Sequence, residues 1–147
     1  MASIEEKVEE HYKKVLDNLQ IRHFGKTEMI NGSITKALRE AESKSGGSGS
    51  NFPDIQLLLQ NDTRRDVPVM IEAKGIKGKL EKLTPNGSIE LISNGKNPNR
   101  AVQQFAVNGA LHYGEAILAE GTYSEVVVVG INGTTLVNGK VIDPEIK

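Results

Sequence analysis

The chain has 147 residues, a formal net charge of −1 and no cysteine. These properties exclude disulfides, cysteine-ligated zinc and thiol catalysis, and they provide no overall attraction to nucleic acid. Hydrophobic residues make up 37% and charged residues 25%, which predicts a single globular domain over residues 1–147. No apolar run reaches the length of a membrane span and the acidic N-terminus is unlike a signal peptide, so we expect a cytoplasmic protein without a membrane partner.

Apolar residues at helical spacing predict two helices in the first third of the chain. The first covers residues 4–19, where Ser3 and Glu6 form the pattern of a capping box. The second runs from about Ile34 to Lys44, with Ser33 as its cap.

Two strands are predicted after a Gly/Ser-rich segment at 45–51, which by composition is a flexible linker or a loop beside a binding site. The strands are Ile55–Leu59 and Val67–Ala73, in which most residues are apolar. The polar stretch 60–66 between them favours an antiparallel hairpin.

The second half of the chain adds a helix and further strands. An extended loop at 75–99 precedes a helix from about Asn99 to Ala119. The continuous run Val126–Ile131 is typical of a strand buried on both faces. Asn-Gly pairs at 132–133 and 138–139 predict a terminal hairpin. Together the elements predict an α/β fold with a mixed central sheet.

Acidic and basic residues mark one end of the predicted hairpin. Asp54 opens the first strand and Glu72 lies near the end of the second, so the two side chains can be neighbours across the hairpin. Lys74 projects from the same face as Glu72 because the two residues are two apart. Two carboxylates can bind Mg²⁺, and a lysine can stabilise charge on a phosphate or orient water. An exposed Glu72–Lys74 ion pair is the alternative interpretation.

The pattern Pro53-Asp54 followed by Glu72-x-Lys74 resembles that of the PD-(D/E)XK nuclease superfamily. The resemblance implies a restriction-endonuclease-like core, in which helices flank a central mixed sheet. It implies a Mg²⁺ ion, with Mn²⁺ as an alternative, bound by Asp54, Glu72 and the carbonyl of Ala73. Members of the superfamily often carry a further helix carboxylate, for which Glu10 or Glu6 is preferred here. Two glutamates of the second helix, Glu40 and Glu42, are alternatives.

A narrower resemblance concerns residues 106–113, which look like a helix in the nuclease domains of type IIG-like restriction-modification enzymes. It implies a DNA endonuclease that serves as the cleavage domain of a restriction or phage-defence system. Its partners would be DNA and a methyltransferase or specificity domain or subunit, with a homodimer as one route to double-strand cleavage. A structure-specific nuclease such as a Holliday-junction resolvase, and an inactive DNA-binding domain with the nuclease fold, remain alternative hypotheses.

Several polar residues are candidates for contacting DNA near this site. Gln104, Asn108 and His112 recur every four residues and so share one face of the predicted third helix. Gln104 is a candidate catalytic residue that positions water or phosphate, and Asn108 is a candidate DNA contact. Each is alternatively part of a solvated helix surface, which is the preferred interpretation for His112. Basic residues of the loop could follow the DNA backbone; the candidates are Lys77, Lys79 and Arg100.

We predict that the chain binds duplex DNA weakly, with strong salt dependence and little sequence preference. Attraction must come from local lysines and arginines, because the net charge is −1 and aromatic residues make up only 4%. The measurement is a binding titration on several duplexes at two salt concentrations. Tight, sequence-dependent binding that persists at raised salt would contradict the prediction.

Overall fold

A computed structural model describes residues 3–41, 52–133, 136–137, 140–141 and 143–147. Within these ranges the chain forms the following elements in order: helices α1 (Ile4–Asn18) and α2 (Gly32–Glu40), strands β1 (Ile55–Gln60) and β2 (Asp66–Lys74), helices α3 (Arg100–Gln104) and α4 (Ala106–Glu120), and strands β3 (Val127–Asn132), β4 (Leu136–Val137), β5 (Lys140–Val141) and β6 (Glu145–Ile146). None of the helices in the described ranges has the length and apolarity that crossing a membrane requires.

The central sheet has four strands in the order β1-β2-β3-β6 and is mixed. β1 and β2 form an antiparallel hairpin, β2 and β3 are parallel, and β6 returns antiparallel to β3. Strands β4 and β5 pair as the predicted terminal hairpin, and Asn138 and Gly139, the predicted turn, lie outside the described residues. The predicted α/β class, the mixed sheet and both hairpins are therefore confirmed.

Two hydrophobic clusters cover the two faces of the sheet. On one face Val8 of α1 packs against apolar residues of β1, β2 and β3, among them Ile55, Ile71 and Ile131. On the other face Met70 of β2 packs against α2 and α4. Ile71 and Met70 are consecutive, so the alternation of the β2 side chains supplies both clusters. Burying aliphatic side chains of this size contributes about 1.5–3 kcal/mol each.

Helix α4 approaches β3 closely because β3 carries a glycine at the contact. A Cβ atom on Gly130 would lie 2.5 Å from the main-chain nitrogen of Val107, in the first turn of α4. Only a residue without a side chain allows this approach. The same contact keeps the N-terminal half of α4 close to the end of β2, where the acidic residues lie.

The first two helices begin with side-chain caps. In α1 the Ser3 hydroxyl accepts the Glu6 N–H and the Glu6 carboxylate accepts the Ser3 N–H, so the predicted capping box is confirmed. Helix α2 begins earlier than predicted, because Asn31 and not Ser33 caps it by accepting the Ile34 N–H. It ends at Glu40, and Lys44, the predicted end, lies outside the described residues.

The prediction of one uninterrupted helix from Asn99 to Ala119 was wrong. Phe105 has extended backbone angles, φ −118° and ψ 139°, and it separates α3 from α4. The N–H groups of Ala106 and Val107 donate to main-chain carbonyls of the preceding loop, at 2.9 and 2.8 Å. The loop thus satisfies N–H groups at the start of α4 that an uninterrupted helix would satisfy internally.

The prediction that Val126–Ile131 is buried on both faces was also wrong for its first half. Val127 is 48% exposed, whereas Ile131 and Asn132 at the other end of β3 are fully buried. The cause is the short length of β6, whose pairing reaches only Ile131 and Asn132.

We predict that Gly130→Ala lowers the free energy of unfolding by about 1–3 kcal/mol, because the added methyl group must displace the α4 backbone. Gly32→Ala is the matched control, since a Cβ there meets nothing within 4 Å and alanine favours the helix. Urea denaturation measures both. Equal stabilities for the two variants would contradict the close packing of α4 on β3.

Candidate active site

Asp54 and Glu72 meet at the open end of the β1–β2 hairpin. Ile55 pairs with Ile71, and continuing this register by one residue sets Asp54 opposite Glu72. The Asp54 N–H donates to Oε1 of Glu72 at 3.0 Å. The neighbouring relationship expected from the sequence is therefore present.

Main-chain N–H groups hold both carboxylates in place. Oδ2 of Asp54 accepts the Ala73 N–H at 2.8 Å, while Oε1 of Glu72 accepts the Asp54 N–H. Asp54 is 4% exposed and Glu72 is 3% exposed. The alternative of an exposed surface ion pair at Glu72 is excluded by this burial. Positive charge nearby stabilises two acidic groups that are kept close together away from water.

Helix α4 forms one wall of the site through Gly109 and Tyr113. A Cβ atom on Gly109 would lie 3.4 Å from Oε2 of Glu72, so the glycine leaves room for this carboxylate. Tyr113 is buried, and burial raises its pKa well above the usual range; the negative charges of Glu72 and then Asp54 raise it further. Tyr113 thus lies within electrostatic range of both carboxylates and remains a neutral phenol.

Lys74 lies at the end of β2 with its side chain only 15% exposed. Its ammonium is 3.9 Å from a carboxylate oxygen of Glu5 in the first turn of α1. This contact joins the end of β2 to the first turn of α1. Partial burial also means that its charge is screened by water less than a surface lysine's would be.

The glutamates of α1 that face the site differ from those predicted. Glu10 is exposed and pairs with Lys7 at 3.5 Å, and Glu6 belongs to the capping box. Glu5 and Glu9, four residues apart and so on one face of the helix, lie toward the sheet: Glu5 contacts Lys74, and the side chain of Glu9 is 14% exposed. The spacing of the apolar residues predicts the buried face of α1. It gives little indication of which row of glutamates beside that face lies next to the site. Glu40 ends α2, and Glu42 lies outside the described residues.

Lys26 is a site residue that the sequence did not reveal. Its ammonium is 2.9 Å from Oδ1 of Asp54, although the two residues are far apart in the chain. The pKa of Lys26 is raised, chiefly by its hydrogen bond to Asp54; desolvation opposes this rise, and the charges of Asp54, Glu9 and Glu72 add to it. No local pattern around Gly25-Lys26-Thr27 indicates this role, because it arises from the pairing of Phe24 with Gln56.

Asn108 cannot contact DNA as predicted, because it is fully buried. Its Nδ2 donates to the carbonyls of Lys82 and Glu90, at 2.9 and 2.7 Å, and its Oδ1 accepts the Lys82 N–H at 2.9 Å. The side chain therefore anchors the long loop to α4. Gln104 belongs to α3 and is exposed, so the break at Phe105 removes the common helix face that was predicted.

The basic residues of the loop differ in their exposure and in the contacts that their side chains make. Lys77 is exposed. The ammonium of Lys79 lies 4.6 Å from the centre of the Phe105 ring and donates to Gln104 at 3.3 Å. Arg100, the first residue of α3, is half-buried, and its charge contributes to the lowered pKa of Glu90, for which the hydrogen bond from Ser93 is the main cause.

The carboxylate pair has the chemistry of a small divalent-cation site. Within the described ranges no group of three or more His, Asp or Glu side chains is arranged around a metal position, so the candidate ligands are two carboxylates and a main-chain oxygen. The Ala73 main chain lies beside Asp54, as its N–H bond requires. Hard oxygen ligands suit Mg²⁺, and one cation, the Lys26 ammonium, already lies at Oδ1 of Asp54.

Comparison with protein-family models, with curated proteins and with solved structures found no match to this chain.

We predict that Asn108→Ala lowers the free energy of unfolding by about 2–4 kcal/mol, because it leaves buried main-chain groups of the loop without partners. Gln104→Ala, which removes an exposed amide, is the matched control and should change stability by less than about 0.5 kcal/mol. Thermal and urea denaturation measure the two variants. A neutral Asn108→Ala would show that the loop is held by other contacts.

Proposed function

We propose that this chain is a Mg²⁺-dependent DNA endonuclease whose sheet is a restriction-endonuclease-like core. The observation that carries the proposal is the buried pair Asp54 and Glu72, held on neighbouring strands with a cation already at one carboxylate. Structural ion pairs are seldom built around two buried like charges, because their repulsion destabilises the fold. Binding of a divalent cation would compensate the repulsion between the two carboxylates and would explain why they lie together.

The order of the elements supports this proposal. A helix precedes an antiparallel pair that carries the carboxylates, and two helices then lead to a strand parallel to β2. This arrangement agrees with the core that the Pro53-Asp54 and Glu72-x-Lys74 resemblance implies. The role of a cleavage domain in a restriction or phage-defence system, with a separate specificity partner, rests on the resemblance of residues 106–113 alone.

Each residue of the site would have a distinct role in phosphodiester hydrolysis. Asp54, Glu72 and the carbonyl of Ala73 would hold the cation, which supplies Lewis-acid polarisation of the phosphate and activation of water. Lys74 would stabilise negative charge that develops on the phosphate, and the Glu5 carboxylate, 3.9 Å away, would help to position its ammonium. Gly109 would leave room for the Glu72 carboxylate on the α4 side of the site.

The nucleic-acid surface would lie on the loop side of the site. Lys77 and Lys79 follow Lys74 within five residues, and Arg100 begins the helix to which the loop leads. Lysines and arginines at this position would contact phosphates without reading base sequence. The exposed Gln104 could contact the same DNA phosphates. The buried Asn108 would instead hold the loop that carries the basic residues.

We predict that Asp54→Asn, Glu72→Gln and Lys74→Met each lower Mg²⁺-dependent nicking of plasmid DNA by more than about 100-fold. The amide variants keep the side-chain volume and an acceptor for the main-chain N–H, so the fold should survive. Asp66→Asn, at the exposed far end of β2, is the matched control and should retain activity. Circular dichroism and thermal melting verify folding. Full activity in a folded Asp54→Asn protein would refute the assignment.

A second prediction concerns the choice of metal. Ca²⁺ should support DNA binding but little cleavage, because it accepts the same oxygen ligands with looser geometry and activates water less well. The measurement pairs a binding titration with a cleavage assay in each metal, on linear and on branched DNA. Equal turnover in Ca²⁺ and Mg²⁺ would contradict the mechanism, and cleavage confined to branched DNA would indicate a resolvase-like substrate.

A further inference from the structure

Lys26 neutralises Asp54 from outside the sequence pattern that defines the proposed site. Its ammonium is 2.9 Å from Oδ1 of Asp54, whose other oxygen already accepts the Ala73 N–H. The Asp54 side chain is 5% exposed, whereas the Lys26 side chain is 57% exposed. The lysine therefore approaches from solvent and closes the open side of a buried carboxylate.

The turn that carries Lys26 is fixed to β1. Phe24 and Gln56 exchange two main-chain hydrogen bonds of 2.8 Å. The buried Gln56 side chain donates to the carbonyls of Gly25 and Glu28, at 3.1 and 3.4 Å. The Glu28 carboxylate in turn accepts the Gly25 N–H at 2.9 Å. Because Gln56 is two residues after Asp54, the strand that presents the carboxylate also holds its counter-ion.

A lysine and a divalent cation compete for this carboxylate, because both are positive charges that its oxygens attract. A cation bound to Oδ1 would lie about 2.0–2.6 Å from the oxygen, and the Lys26 ammonium already lies 2.9 Å from it. The two positive charges would also repel one another strongly in a site shielded from water. The Lys26 side chain is long, flexible and partly exposed to solvent. Its ammonium is therefore the group that can move away from Asp54.

We propose that Lys26 is an internal counter-ion of the carboxylate pair, which a divalent cation must displace from Asp54 in order to bind. This inference rests on the proposed function, since it takes Asp54 and Glu72 to be metal ligands. The Lys26–Asp54 ion pair stabilises the metal-free fold. Because a metal must break this pair, the pair lowers the affinity of the site for metal. The exchange also leaves an ammonium at the mouth of the site whenever metal is bound, where it can meet a phosphate.

The test is Mn²⁺ binding to the full chain without DNA, followed by electron paramagnetic resonance and calorimetry. Lys26→Met and Lys26→Gln should each bind Mn²⁺ at least about 10-fold more tightly than the wild type, because a positive charge has been removed from the metal position. Lys26→Arg, which keeps the charge, should bind within about 3-fold of the wild type. Lys7→Met changes the net charge equally at an exposed ion pair whose partner is Glu10, and it is the matched control, with less than about 2-fold effect.

Thermal melting gives a second readout that does not depend on catalysis. Without metal, Lys26→Met should melt below the wild type, because Asp54 loses its counter-ion. Saturating Mn²⁺ should raise the melting temperature of the variant more than that of the wild type.

The outcomes separate this inference from the proposed function. Wild-type Mn²⁺ binding that is lost in Asp54→Asn and Glu72→Gln, but is unchanged or weakened in Lys26→Met, would overturn the counter-ion role and leave the metal site standing. Absence of Mn²⁺ binding in the wild type and in both neutral Lys26 variants would overturn both. Tighter binding in Lys26→Arg as well would show that the turn, and not the charge, controls affinity.

Discussion

At the open end of the β1–β2 hairpin, the carboxylates of Asp54 and Glu72 accept main-chain N–H groups in place of main-chain carbonyls. Much of the surrounding structure depends on these two hydrogen bonds. Each carboxylate accepts a main-chain N–H from the other strand, Glu72 from Asp54 and Asp54 from Ala73. The hydrogen bonds fix the side chains and keep the strand ends together. They also place two buried carboxyl groups side by side, an arrangement that positive charge nearby stabilises.

Three neighbouring elements lie around this pair of carboxyl groups. The turn before α2 places Lys26 at Oδ1 of Asp54, and the end of β2 places Lys74 against Glu5. Helix α4, which packs closely on β3 at Gly130, places Tyr113 within electrostatic range of the pair and leaves a space at Gly109 for Glu72. The site is thus closed on the helix side and cationic on the solvent side. In such an arrangement a metal ion could take the place of the lysine beside Asp54. The positive charges on the solvent side could then attract an anionic substrate.

The sequence predicted the parts of the fold that depend on local periodicity and composition. The hairpin of β1 and β2, the capping box at Ser3 and the mixed sheet follow from patterns within short windows. The adjacency of Asp54 and Glu72 was predictable for the same reason, because a hairpin register relates residues that are close in the chain.

What escaped prediction depends on contacts between distant segments. The break at Phe105 arises because the loop carbonyls replace helical partners, and no helix-breaking residue marks it. Asn108 looked like a surface amide because its partners lie in that same loop. Lys26 reaches the site only through the Phe24–Gln56 pairing, and the facing glutamates of α1 depend on how the helix rotates onto the sheet. Apolar spacing predicts the buried stripe of a helix, but it does not indicate which polar side of that stripe lies next to the site.

A crystal structure with Mn²⁺, located by its anomalous scattering, tests the central claim most directly. The account predicts one strong peak within ligand distance of Asp54 and Glu72, with the Lys26 ammonium withdrawn from Oδ1 of Asp54. A structure at saturating Mn²⁺ in which that position holds no metal and the Lys26–Asp54 pair persists would contradict it.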